Sequence, residues 1–211
     1  PHPRSVIQPQ ASHKLKLINT QKEKIMLLNK TGIDHLFHIH FTREFSHMSS
    51  HEFAHNFLIK KLGAKCIVVG YNHHFGHDRQ GNFNYLKTLS KTHHFELVEI
   101  PQQDIETEAV SSTKIREALL RGDIQKANAY LDHSFIMSGV LGPGEPLDQN
   151  TAYTTYKLQI EEKSKIIPPD GIYAATINLE HSTRGCLMLI NRIRGMFPCV
   201  DICFMDGYRP S

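Results

Sequence analysis

No stretch of the 211-residue chain approaches the roughly 18 consecutive apolar residues that a spanning helix needs, and Pro1-His2-Pro3-Arg4 carries no apolar signal region. The expectation is a protein with no membrane partner and no visible export signal. Cysteine is scarce: Cys66, Cys186, Cys199 and Cys203 form no CxxC pair, which fits a reducing cytoplasm. An excess of one charge is also lacking. Lys and Arg number 24 against 21 acidic residues, a formal +3, with no basic run and no basic-aromatic stripe. Nucleic acid is therefore not an expected partner, whereas a small phosphorylated ligand is compatible with this balance. There is no internal repeat and no low-complexity tract. What is present, 40% hydrophobic and 21% charged residues, describes an ordinary globular protein, expected as a monomer or small oligomer, and the length allows a medium domain followed by a small one.

The chain reads as alternating helices and strands at first. Thr20 to Lys30 predicts a helix with Ile25, Met26 and Leu28 on its apolar side and Gly32 as its stop. Ile33 to Phe41 alternates in the period of a strand. Ser49 and Glu52 form a capping box for a helix through Phe53, Phe57, Leu58 and Leu62 to Gly63. Cys66-Ile67-Val68-Val69 is a short β-branched run ending at Gly70, which suits a parallel strand covered on both faces. A helix over 83 to 93 leads into a strand over 95 to 100. Such repetition predicts a three-layer α/β sheet with right-handed crossovers. Two short helices follow, Ile115 to Arg121 and Ile124 to Leu131. From about residue 135 the texture changes: Gly142-Pro143-Gly144-Glu145-Pro146 reads as turns, and Thr154 to Ile160, Ile172 to Leu179, Cys186 to Ile193 and Cys199 to Met205 read as strands. The expected domains are 1–134, α/β, and 135–211, antiparallel β.

Chemistry has three candidate places. In an open α/β sheet, ligands bind beyond the carboxyl ends of the strands, where the loop Gly70 to Gly81 leaves its strand with three glycines and Arg79. It reads either as a ligand-facing loop or as a polar connection. Ser111-Ser112-Thr113-Lys114-Ile115-Arg116 places hydroxyls at a helix start, where they cap the helix or, with the free N–H groups and the dipole, cradle a phosphate that Arg116 can close. The 15 histidines, notably His73-His74-x-x-His77 and His93-His94, raise metal binding. Against it, no HExxH or finger spacing occurs, and solvated or hydrogen-bonded imidazoles are the plainer reading.

The first two of these places also carry a resemblance. Gly70-Tyr71-Asn72-His73-His74-Phe75-Gly76, with Arg79 and Gly81, resembles the glycine-phenylalanine-glycine loop of the prokaryotic bifunctional riboflavin kinase/FMN adenylyltransferase (FAD synthetase) family, and Ser111 to Arg116 matches its SSTxIR motif. Pro1 to Arg4, Lys22 to Lys24, Phe41 to Phe45, Ser49 to Phe53 and Gly122 to Leu131 extend the likeness over roughly residues 1 to 145. It implies a Rossmann-like nucleotidyltransferase domain followed by a small antiparallel β-barrel, together performing adenylyl transfer from ATP to FMN and riboflavin phosphorylation. Carried over, Ser111, Ser112, Thr113 and Arg116 would hold ATP phosphates. Arg79 would contact nucleotide, and Gly70, Asn72, Phe75 and Gly76 would shape the flavin pocket, with Mg²⁺ assisting. The family's HxGH signature lies upstream of a segment like Pro1 to Arg4. A non-catalytic flavin or nucleotide-binding relative is the alternative.

The later segment resembles the riboflavin kinase module less closely. Ser138-Gly139-Val140 and Pro168 to Ala174 match its flanks, which sets Thr154-Thr155-Tyr156-Lys157 where the family has PTAN. Thr155 would then bind nucleotide and metal, and Lys157 replaces the metal-assisting asparagine. Asp201 falls near the place of the catalytic glutamate and would be the base.

Overall fold

A computed structural model describes residues 6–7, 10, 16–102, 104–105, 108–146, 154–180, 182–193 and 196–208. The chain forms two compact units, one of residues 1–15 and 36–110, the other of residues 16–35 and 111–211. The boundary expected near residue 134 lies inside the second unit. So does the first helix, α1 (Gln21–Asn29), which starts as the sequence predicts: Thr20 Oγ1 accepts from the Glu23 N–H, and Glu23 Oε2 accepts from the Thr20 N–H. Its buried face differs from the expected one. Ile25 and Met26 are exposed, whereas Glu23 is completely enclosed.

In the unit of residues 36–110, the short helix α2 (Arg43–Ser46) is capped by Thr42. The turn α3 (Ser50–Glu52) has the predicted Ser49 and Glu52 capping box, then widens into a π-helix over Phe53–Lys61 that ends at Gly63, where φ is +58°. Strand β1 (Cys66–Gly70), helix α4 (Phe83–His93) and strand β2 (Glu96–Ile100) form a crossover unit whose strands pair in parallel, Cys66 opposite Glu96 through Gly70 opposite Ile100. A hairpin of β3 (Asp104–Ile105) and β4 (Glu108–Ala109) closes the segment. Two expectations fail here. Residues 35–42 are irregular rather than a strand, and Ile33, Leu36, Phe37 and Ile39 stay exposed, so the alternation has no ladder to join and no face to bury. Among the described residues the parallel sheet has only two strands, and Val68, Val98 and Ile100 face outward, so it is not covered on both sides.

In the other unit, helices α5 (Ser112–Arg121) and α6 (Ile124–Leu131) occupy the predicted segments, capped by Ser111 and Asp123 and separated by Gly122 at φ +81°. Their apolar faces bury Ile115, Ala118, Leu119, Ala127 and Tyr130. Five antiparallel strands follow: β5 (Val140–Pro146), β6 (Thr154–Gln159), β7 (Gly171–Asn178), β8 (Thr183–Asn191) and β9 (Cys199–Phe204), in the order β5-β6-β9-β8-β7. Among the described residues this sheet is open, with β5 and β7 as edges, and does not close into the expected barrel. Strand β5 runs through residues that read as turns. As an edge strand it tolerates Pro143 and a register shift before Pro146, and Gly144 lies so close to β6 that a Cβ there would sit 2.3 Å from the Thr155 carbonyl oxygen. One face packs Ile167, Cys186, Ile190, Val200, Ile202 and Phe204 into a core with Leu141, Tyr156, Leu158 and Met188. The period of two then puts Thr155, Lys157, Cys199, Asp201 and Cys203 on the opposite face.

Residues 16–35 are fastened to this unit by a buried ion pair. Lys165 and Glu23 are both fully enclosed, and Lys165 Nζ donates to Glu23 Oε2, the Ile18 carbonyl and the Ile136 carbonyl, each at 2.6 Å. Glu23 Oε1 accepts from the N–H and hydroxyl of Ser138 at 2.8 and 3.2 Å. Burial pushes the Lys165 pKa down, and Glu23 partly offsets that push. Three acceptors around Nζ match the three donors of an ammonium, so the charge is satisfied without water.

Candidate functional site

The aromatic residues of the first unit enclose a cavity of about 280 Å³ lined by Phe41, Phe45, Ser46, Met48, Phe53, His74, Phe75 and Gly76. Its walls are ordered by ring contacts. Phe45 packs edge-on against Phe41, Phe53 and Phe57 at centroid distances of 5.7, 6.1 and 5.9 Å, and Phe53 lies 5.7 Å from Phe75. Tyr85 of α4 supports Phe75 from outside at 6.3 Å.

Phe75 is held by its own loop. It exchanges two backbone hydrogen bonds with Gly81, at 3.0 and 2.9 Å, and its ring lies where a Cβ on Gly81 would fall, 2.6 Å away. Gly76, at φ +75°, lies against α3 so closely that a Cβ would come within 2.5 Å of the Ser50 backbone. The His77 N–H donates to the Met48 carbonyl at 2.8 Å, which ties the loop to the segment before α3. Asp78 and Arg79 are both left-handed, at φ +51° and +58°. Consecutive non-glycine residues in this region store strain and cluster where a loop serves a ligand.

Of the four residues expected around a flavin, Phe75 and Gly76 line the cavity, while Gly70, at the end of β1, and Asn72, in the turn after it, lie outside the lining. Arg79 is exposed and also outside it, although its carbonyl accepts from His74 Nδ1 at 3.2 Å. His74 belongs to the loop that the sequence marks as ligand-facing, whereas Phe41, Phe45, Met48 and Phe53 are not singled out there as ligand contacts. The resemblance over Phe41 to Phe45 and Ser49 to Phe53, and the spacing of the phenylalanines, read equally as core.

The helix-start motif lies in the second unit. Ser111 Oγ accepts from the Lys114 N–H at 3.3 Å as an ordinary cap, and Ser112 and Thr113 are exposed in the first turn of α5. Arg116 donates through Nε to the Lys16 carbonyl at 2.9 Å and through Nη1 to the Ser112 carbonyl at 3.0 Å. A guanidinium has five donors, so among the described residues three remain. The α5 N-terminus therefore offers hydroxyls, a helix dipole and a partly engaged guanidinium to an anion.

On the sheet face away from the core, Lys157 stands opposite Asp201 and Thr155 opposite Cys203. Asp201 Oδ1 is buried with no hydrogen-bond partner among the described residues, and Oδ2 accepts from the Cys199 thiol at 3.6 Å. Burial first, then the Asp201 charge, pushes the Cys199 thiol up, so it stays protonated. A cavity of about 230 Å³ beside them is lined by Lys157, Gln159, Phe197, Pro198 and Cys199 among others. Thr155 is buried and donates its hydroxyl to the Glu145 carbonyl at 2.7 Å. A single carboxylate oxygen without a partner among the described residues, across the ladder from a lysine and next to a threonine committed to a carbonyl, does not compose an Mg²⁺ site, which needs several oxygens near 2.0 to 2.1 Å. Among the described residues no group of three or more His, Cys, Asp or Glu is arranged to hold a metal ion. Nor is any helix long and apolar enough to cross a membrane.

Residues 1–114 match the model of the FAD synthetase family. The bifunctional riboflavin kinase/FMN adenylyltransferase of Buchnera aphidicola subsp. Schizaphis graminum is 30% identical over 164 residues, 77% of this chain and 52% of that protein. The protein of the same name from Listeria monocytogenes is 26% identical over 183 residues, 87% and 57%. The Escherichia coli K12 protein of that name is 26% identical over 156 residues, 74% and 49%. The chain thus spans about half the length of the curated relatives it matches. A crystal structure of a macrolide-efflux protein from Streptococcus pneumoniae superposes with a TM-score of 0.84 at 22% identity, covering 99% of this chain and 67% of that one. At that identity the likeness supports the fold alone.

Proposed function

The chain belongs to the FAD synthetase family, and from that membership we propose that it works in flavin biosynthesis, transferring the adenylyl group of ATP to FMN to give FAD and pyrophosphate. The observation that carries the reading is the aromatic cavity closed by Phe75. Its volume, at the low end for ligand pockets, suits a flat ring system rather than a whole dinucleotide, and its phenylalanine walls are the natural surface for an isoalloxazine ring. In the transfer, an oxygen of the FMN phosphate attacks the α-phosphorus of ATP, the bond to the β-phosphate oxygen breaks, and pyrophosphate leaves with the electron pair. No protein nucleophile is required. The protein's part is positioning and neutralisation of phosphate charge, which we assign to Ser111, Ser112, Thr113 and the three free donors of Arg116. Arg79, exposed on the strained loop, is proposed to contact nucleotide.

Riboflavin phosphorylation, the other activity in the relatives' name, would fall to the C-terminal sheet. There Asp201 would accept the proton of the attacking hydroxyl. Its oxygen without a hydrogen-bond partner among the described residues supports a base, and Lys157 across the ladder would offer its ammonium to a phosphate.

The test is direct. Flavin fluorescence titrated with the protein should show quenching that Phe75→Ala weakens by about tenfold or more, as loss of a large aromatic contact implies. FAD formed from FMN and ATP, followed by chromatography, reads the activity. Absence of any FMN binding by the folded wild-type chain would sink the assignment.

A further inference from the structure

Of the side chains that line the aromatic cavity, only Ser46 and His74 bear hydrogen-bonding N or O atoms. Both have their proton committed elsewhere. The Ser46 hydroxyl donates to the Arg43 carbonyl at 2.6 Å. His74 Nδ1 lies 3.2 Å from the Arg79 carbonyl, and because a carbonyl only accepts, Nδ1 carries the proton of that bond. Of the two neutral tautomers, only the one protonated at Nδ1 makes it. Nε2, the ring nitrogen left to meet a ligand, is then a lone-pair acceptor, and the Arg79 carbonyl that sets it sits in the left-handed turn of the same loop. With His74 in that tautomer, the side chains that line the cavity offer acceptors and no free donor, so a ring seated there is matched by turning a donor toward His74.

We propose that His74 is a specificity-determining residue that accepts a hydrogen bond at Nε2 from the N3–H of the flavin ring. The inference rests on the flavin reading of this cavity and adds which edge of the ring faces the loop. The oxidised isoalloxazine has a single ring N–H, at N3, between two carbonyls, so only that edge satisfies an acceptor held at Nε2. Turned the other way, the ring would present its dimethylbenzene edge, leave Nε2 desolvated without a partner, and bind more weakly.

The test uses lumiflavin, which has neither ribityl chain nor phosphate, and 3-methyllumiflavin, in which the donor is gone. Binding is read by quenching of flavin fluorescence. His74→Phe keeps a ring but no acceptor and should weaken lumiflavin by about tenfold, the worth of one hydrogen bond at the upper end of the usual range. His74→Gln, whose amide oxygen can accept, should retain part of that affinity. Methylation at N3 should cost the wild-type protein about tenfold and His74→Phe little. Equal lumiflavin affinity in wild-type and His74→Phe proteins overturns the proposal while leaving the flavin cavity standing. Failure of the wild-type protein to bind lumiflavin overturns the cavity reading and the proposal with it.

Discussion

Replacing Lys165 by methionine removes an ammonium and keeps an unbranched chain of similar length. The energetic consequence follows from what remains. Glu23 stays fully enclosed, with Oε1 still receiving Ser138 and Oε2 still receiving the Thr20 N–H, yet without its counter-charge. The Ile18 and Ile136 carbonyls each lose a donor. Breaking a buried pair by removing one partner costs about 3 to 5 kcal/mol, chiefly because a desolvated charge is left alone. With a urea slope of about 2 kcal/mol per molar, that corresponds to a midpoint lowered by roughly 2 M, read by far-UV circular dichroism on the transition of the unit containing the sheet.

The sharper test is the cycle with Glu23→Gln. If the cost of Lys165→Met is mostly the orphaned carboxylate, neutralising Glu23 in the Lys165→Met background should harm far less than in the wild type, a coupling of about 1 to 3 kcal/mol. The glutamine still accepts from Ser138, so the residual loss reports the acceptor taken from the Thr20 N–H and the donors taken from the two carbonyls. Loss of under about 1 kcal/mol in Lys165→Met, or additivity of the two changes, would refute the claim that this pair fastens residues 16–35 to the sheet unit.

Gly76→Ala places a Cβ against the Ser50 backbone in a residue at φ +75°. It should cost about 1 to 3 kcal/mol in thermal unfolding and loosen FMN binding, whereas unchanged stability would contradict the packing of this loop on α3. Arg116→Ala should weaken ATP binding by about tenfold in calorimetry, and an unchanged affinity would remove Arg116 from the phosphate site. For pH, burial first, then the charges of Lys60, His93 and His51, holds the His55 imidazole below its ordinary value near 6.5. The unfolded chain therefore takes up this proton first, so the His55 contribution to stability is present above about pH 6.5 and is lost as pH falls toward the lowered folded value. Melting temperature should drop between pH 8 and 5.5 more in the wild type than in His55→Gln, and equal drops would speak against it.

The helices were largely legible because their ends are written locally. Thr20 with Glu23, Ser49 with Glu52 and Ser111 before α5 are side chains acting within four residues of themselves, and Gly122 ends α5 through its own left-handed backbone. What they enclose was not legible. The capping box at Thr20 gives no sign that its glutamate is the buried residue of α1, because the partner, Lys165, is 142 positions away. The same limit explains residues 33–41, where alternation is a local property and the strand to pair with is not. Segment 142–146 erred in the opposite direction: glycine and proline usually punctuate, but on a sheet edge Gly144 permits close approach to Thr155 and the prolines need no ladder donor.

The candidate site divides along the same line. Phe75 and Gly76 stood out because one loop carries three glycines at the end of a strand, whereas Phe41, Phe45 and Phe53 look like core until the fold sets them around an opening. A cavity wall and a core face obey the same rule of apolar burial, and they differ only in whether the opposite side is filled. Polar groups decide that difference. His74 Nδ1 is spent on the Arg79 carbonyl and Asp201 Oδ1 on nothing among the described residues, and the proposed ligand contacts start from the nitrogen and oxygen left over. Neither follows from residue type: 15 histidines raise metal binding without a ligand spacing to support it, while the contact at Nδ1 sets His74 apart from the rest. The chemistry of this loop therefore rests on which proton its backbone has already claimed.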